Sequence, residues 1–93
     1  MTHTIKMPNR FDLVASGEFN SAITAALGED GADQKIQLDG IHMDYIDSAG
    51  LGLLVMAHKK AMSKGCSIEI VHVKPSVKEI LLLANIQKLI RIK

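Results

Sequence analysis

Asp44-Tyr45-Ile46-Asp47-Ser48-Ala49-Gly50-Leu51-Gly52-Leu53-Leu54 decides how the rest of this chain is read. Two acidic residues and a hydroxyl stand just before a run with helical apolar spacing. Leu51, Leu54, Val55, His58 and Met62 share a stripe that Ala61 extends, which predicts an amphipathic helix from Ala49 to about Lys64, stopped by Gly65. Asp47 or Ser48 can cap the unpaired amides of its first turn, and acidic charge suits that end of the helix dipole. Gly50 and Gly52 fall within the first two turns, where each costs about 1 kcal/mol relative to alanine. Such a cost implies close approach by a neighbouring strand or by the backbone of a partner. Ala49, Gly52, Leu53 and Met56 lie off the core stripe and run back to Ser48. They form either a partly apolar docking platform or a face covered by a neighbouring helix. Lys59 and Lys60 stand at the far end of that platform, and equally read as a solvated face.

Upstream, Thr2 to Met7 alternates, with His3, Ile5 and Met7 on one side, as in a short strand. Pro8-Asn9 supplies a turn from which Arg10 to Leu13 returns as a second strand. Phe19, Ile23, Ala26 and Leu27 then follow helical spacing, with Ser16 as the expected cap and Gly28 as the stop. Gly28 to Asp33 reads as a polar loop. Lys35-Ile-Gln-Leu-Asp39 alternates again and ends near Gly40. Downstream, Ser67 to Val71 is a strand with Ile68 and Ile70 inward and a less buried face carrying Ser67, Glu69 and Val71. Pro75-Ser76-Val77-Lys78-Glu79 predicts a helix start with a reciprocal Ser76/Glu79 capping box. Ile90 and Ile92 suggest a last short strand or an apolar tail. Short strands alternating with helices predict an α/β (α+β-like) fold, a mixed sheet of about four to five strands covered by helices.

The chain has 93 residues, which suits one domain over residues 1–93, and 47% of them are hydrophobic, enough for a core without staples. Eleven basic and ten acidic residues give a net charge of +1 with no long block of either sign. With only Phe11, Phe19 and Tyr45 as aromatics, the chain is a weak partner for nucleic acid. The single cysteine, Cys66, excludes an internal disulfide and argues against a protein-only zinc site, in keeping with a reducing, cytoplasmic setting. The N-terminus lacks the apolar core of a signal peptide, and no apolar window is long enough to insert in a membrane.

Asp47-Ser48-Ala49-Gly50-Leu51-Gly52 resembles the Asp-Ser-(Ser/Thr/Ala)-Gly-Leu-Gly signature of STAS domains, the sulfate-transporter and anti-sigma-antagonist family. Ile36-Gln-Leu-Asp39 and Ile68-Glu-Ile70 are similar to the family strands on either side, and the likeness runs from about Ile5 to Ile92. The opening around Arg10-Phe-Asp-Leu13 is closer to a subgroup in which a Phe-Asp-rich strand leads directly into the first helix. The resemblance implies the STAS fold and the role of an anti-sigma factor antagonist. Its partner would be an anti-sigma factor with a histidine-kinase-like ATPase fold, acting as a serine kinase. By the same resemblance Ser48 is the phosphoacceptor, a PP2C-type phosphatase restores it, and no cofactor is required. Ala49 occupies the second motif position, so Ser48 is the motif's one hydroxyl. The implied contact surface is Asp44, Asp47, Ser48, Ala49, Gly50, Gly52, Leu53, Met56 and Lys59. Other STAS domains serve as adaptor subunits in lipid-transport machinery or stress-signalling assemblies, and the motif does not separate these roles.

A catalytic reading has less behind it. Ser48 lacks a Gly-x-Ser-x-Gly elbow, and His58 falls on the helix stripe as a packed residue. Asp39, Asp44 and Asp47 have no metal-ligand spacing. Gly-Leu-Gly is followed by Leu53 and not by the lysine of a phosphate-binding loop, which argues against nucleotide handling.

Overall fold

The computed structural model describes residues 2–28 and 34–93. Six strands and three helices follow one another as β1 (Thr2–Lys6), β2 (Arg10–Phe11), α1 (Ser16–Leu27), β3 (Lys35–Asp39), β4 (Tyr45–Ile46), α2 (Ser48–Ser63), β5 (Ser67–Val71), α3 (Pro75–Leu83) and β6 (Arg91–Ile92). The polar loop expected over 28–33 lies, beyond Gly28, outside the described residues. The main sheet has the order β1-β3-β5-β6, and β2 and β4 form a separate two-stranded ribbon. The α/β class and the helix-covered sheet of four strands match the sequence reading. Every pairing is parallel, however, so the sheet is not mixed. Each main-sheet neighbour is reached through a helix, which carries the chain back to start in the same direction. The Pro8-Asn9 turn accordingly does not fold β2 back on β1; β2 lines up beside β4, with Phe11 opposite Ile46.

One apolar core joins sheet and helices. Ile36 and Leu38 of β3 and Ile68 and Ile70 of β5 meet Phe19 and Ile23 of α1, Leu54 and Ala57 of α2, and Val77 and Leu81 of α3. Phe11 and Phe19 pack edge to face with centroids 4.8 Å apart, clamping the ribbon to α1.

Several local expectations change. The second strand stops at Phe11 because the Asp12 side chain accepts the Val14 amide (3.1 Å) and starts a 3-10 turn at Leu13–Ala15. Ser16 is therefore not a cap; it is the first residue of α1, and Ala15 precedes it without a side-chain bond. Ser76 caps nothing either. Lys74 holds the extended cap position of α3 and Pro75 sits at the first helical position, where its missing amide costs nothing. In α2 the buried line is Gly50, Leu54, Ala57 and Ala61, one step round from the predicted stripe, which leaves Met62 64% exposed.

The outer face of β5 is also less open than its polar residues suggest. Glu69 is only 3% exposed, yet Thr4, Ser67 and Arg91 on the same face are exposed. Side-chain ends cover it: Gln37 Nε2 donates to Glu69 Oε1 at 2.6 Å, and Lys93 and Lys35 Nζ lie 3.2 and 3.9 Å from Oε2. The Gln37 bond, helped by the two lysines and opposed by burial, holds the Glu69 carboxyl below its ordinary range. A lowered folded pKa gives stability that is full above the unfolded glutamate pKa and is lost as pH falls through the folded value. Glu69→Gln is expected to cost about 1–2 kcal/mol at neutral pH. Urea unfolding should show that difference shrinking below about pH 4; an equal loss at both pH values would assign the effect to packing.

Candidate functional site

The deciding segment folds as a strand, a cap and a helix start. Asn9 O accepts the amides of Asp44 (2.8 Å) and Tyr45 (3.1 Å), which seats β4 against β2. Arg10 lies over the Tyr45 ring at 4.2 Å, reinforcing the ribbon from outside. Asp47 then takes an extended backbone, and its side chain accepts the Gly50 amide at 3.0 Å. Between the two sequence candidates the cap is therefore Asp47. Ser48, the first residue of α2, is exposed, and its hydroxyl bonds to none of the described residues.

The glycines divide the same way. A Cβ on Gly50 would stand 2.2 Å from the carbonyl oxygen of Phe11 and 2.9 Å from Ile46 Cγ1. Gly50 is buried, and its bareness lets α2 press on the β2-β4 ribbon. A Cβ on Gly52 would meet nothing within 4 Å. Gly52 belongs to an exposed line with Ser48, Met56 (52% exposed) and Lys59, while Ala49 and Leu53 are half-buried along its margin. The platform is thus bare along Gly52 and Met56, with Leu53 partly packed into the core.

Asp44 is not a loose carboxylate. Lys74 Nζ pairs with it, tying the start of α3 to the segment before α2. Nearby, Asp39 Oδ1 accepts the Ile41 amide at 3.1 Å and faces His72 Nδ1 at 3.3 Å. The Ile41 bond chiefly, with His72 and His42 adding to it against burial, holds the Asp39 carboxyl below its ordinary range. His72 itself has a left-handed backbone, φ 61°, at the turn leaving β5. Lys74, His72 and Arg10 escaped sequence reading because they lie far along the chain from the segment they serve; no local pattern marks them.

The site offers an exposed hydroxyl on a helix start, a bare strip of helix and a rim of paired charges. No group of three or more metal-ligating side chains occurs among the described residues, and no described helix is long and apolar enough to cross a membrane. Cys66 is buried.

With this geometry in place, comparison with known proteins defines the class. The family model described as "Mlab, STAS domain" matches residues 2–91. The chain belongs to the STAS domain family. A STAS-domain containing protein of Pseudomonas aeruginosa is 27% identical over 89 residues, spanning 96% of this chain and 85% of that one. A crystal structure from Thermotoga maritima, assigned as an anti-sigma factor antagonist, superposes with a TM-score of 0.75 at 24% identity, over 96% of this chain and 77% of that one. An anti-sigma-factor antagonist (STAS) domain protein from Planctomyces limnophilus gives 0.76 at 19% identity, over 97% and 79%. At these identities the two structures establish the shared fold.

Proposed function

We propose that this domain is a phosphorylation-switched protein-binding regulator and not an enzyme. The start and exposed strip of α2 dock on an anti-sigma factor of histidine-kinase-like ATPase fold, which phosphorylates Ser48 in the cytoplasm; a PP2C-type phosphatase reverses the step. One observation carries this reading: Asp47 performs the capping, so the Ser48 hydroxyl stands exposed and bonds to none of the described residues. The Thermotoga and Planctomyces proteins supply the anti-sigma connection, since both carry that description on the same fold. A phosphate adds about −1.5 to −2 charge. The amide-rich helix start tolerates it, whereas a partner surface seated on Gly52 and Met56 would have to desolvate it.

The test is phosphopeptide mass spectrometry on endogenous protein, purified gently enough to keep its partners. Phosphate on Ser48 in the free fraction and none in the partner-bound fraction is the expected result. Ser48 unmodified in every growth and stress condition overturns the switch. The same strip would then serve a constitutive adaptor subunit, of lipid-transport machinery or a stress-signalling assembly, which the copurifying protein would identify.

A further inference from the structure

A second surface lies at the opposite margin of the sheet. β1 is bonded on one side only among the described residues, to β3. The Met7 amide donates to Asp39 O at 2.9 Å, so by strand alternation the backbone groups of His3 and Ile5 also turn toward β3. Those of Thr2, Thr4 and Lys6 therefore point outward from the sheet. Beside this edge runs a groove of about 260 Å³, lined by Ile5, Lys6 and Pro8 on the strand side and by Ala15, Glu18, Phe19 and Ala22 on the helix side. The open edge is short: Lys6 ends the strand and Pro8 follows it, which confines pairing to Thr2, Thr4 and Lys6.

We propose that this edge pairs with the same edge of a second copy, joining two sheets across a two-fold axis through Thr4. The occupant follows from the edge itself. Outward backbone groups recur at Thr2, Thr4 and Lys6, so an antiparallel partner centred on Thr4 matches all three positions. Thr4 meets Thr4 of the second copy as a hydrogen-bonded pair, and Thr2 meets Lys6 at both ends. A two-fold centre on Ile5 would pair Thr4 with Lys6 twice but leave Thr2 without a partner, a centre on His3 would likewise leave Lys6 without one, and a centre on Thr2 or Lys6 would leave most of the edge unpaired. In the Thr4 register no like charges oppose each other, and a threonine pair sits on the axis. His3 of one copy lies opposite Ile5 of the other, a residue that lines the groove. Ala15 and Ala22 leave room for the two α1 helices to approach above the joined sheet. The contact is a small one, below about 1,200 Å², and the dimer accordingly weak.

Sedimentation equilibrium of the chain from about 1 μM to 1 mM should show a reversible monomer–dimer equilibrium. Thr4→Lys places two cations on the axis, and Thr4→Pro removes an amide that β3 does not use. Each should raise the dimer dissociation constant at least about tenfold with secondary structure and melting retained by circular dichroism. Thr4→Cys adds a register-specific reading that holds even if one of these variants folds poorly. Paired Cα atoms at about 5.5 Å suit a disulfide, so oxidation should crosslink Thr4→Cys but not Thr2→Cys, whose copies lie about four residues apart along the strands. A chain that stays monomeric to 1 mM, or crosslinks equally at both positions, overturns the proposal; a monomer whose edge binds an extended segment of another protein overturns it as well.

Discussion

Gly50→Ala is expected to lose about 3 kcal/mol or more of folding stability, and Gly52→Ala, two residues on, to gain up to about 1 kcal/mol. The added methyl at position 50 would lie 2.2 Å from a backbone oxygen, and the atom it meets cannot step aside. That oxygen belongs to Phe11, which is fully buried, pairs with Ile46 across the ribbon and packs on Phe19. Moving α2 outward would instead lift Leu54 and Ala57 from the core. Either adjustment consumes a large share of the total stability of a small domain, which is about 5–15 kcal/mol. At position 52 the methyl enters open space, so helix propensity decides the sign. Urea midpoints followed by circular dichroism would separate the two variants by several kcal/mol. Equal midpoints would show that α2 does not bear on the ribbon as described.

This contrast also shows where sequence reasoning reaches and where it stops. Both glycines carry the same signature in a helical pattern, and neither reveals whether strand or solvent stands opposite. The separation depends on β4, a strand of two residues whose partner β2 lies 35 positions upstream in register. Nothing local marks so short a strand. By contrast Lys35–Asp39 and Ser67–Val71 were legible to the residue, because alternating isoleucine and leucine bounded by turns reports burial against helices directly. Capping was legible in kind and misplaced in detail. Ser76 and Glu79 have the spacing of a capping box, but Lys74 holds the cap position and Pro75 starts the helix, two residues earlier than that box would. At the site the motif stands at the start of α2, but Gly50, read as part of the contact surface, is instead buried against the ribbon, and Lys74, which neutralises Asp44 from 30 residues away, depends on the path of β5 into α3. Glu69 is the mirror case: a polar residue read as lying on the less buried face, yet covered by the ends of Lys35, Lys93 and Gln37.

Ser48→Glu is expected to release the bound partner while leaving the domain as stable as before or slightly more so. The two effects have opposite signs because they act on different surfaces. Within the chain, position 48 begins α2, where a negative side chain meets unpaired amides and the positive end of the dipole, worth about 0.3–1 kcal/mol in favour of folding. No hydrogen bond to a described residue is lost, since the serine hydroxyl makes none. Toward a partner, the same charge stands beside Asp47 and next to the strip of Gly52 and Met56, which must be desolvated on docking. Placing an unpaired charge in such a contact costs about 2–5 kcal/mol, a loss of some 30- to several-thousand-fold in affinity. Ser48→Ala should hold the partner at native strength or tighter, because under the proposed switch it can no longer be modified. Pull-down of the copurifying protein by the three forms, together with their melting temperatures, decides the matter. Loss of partner by Ser48→Glu with melting unchanged supports a switch at the helix start. Equal capture by Ser48→Glu and Ser48→Ala would mean that the partner does not approach Ser48, and would move the contact surface away from the exposed strip of α2.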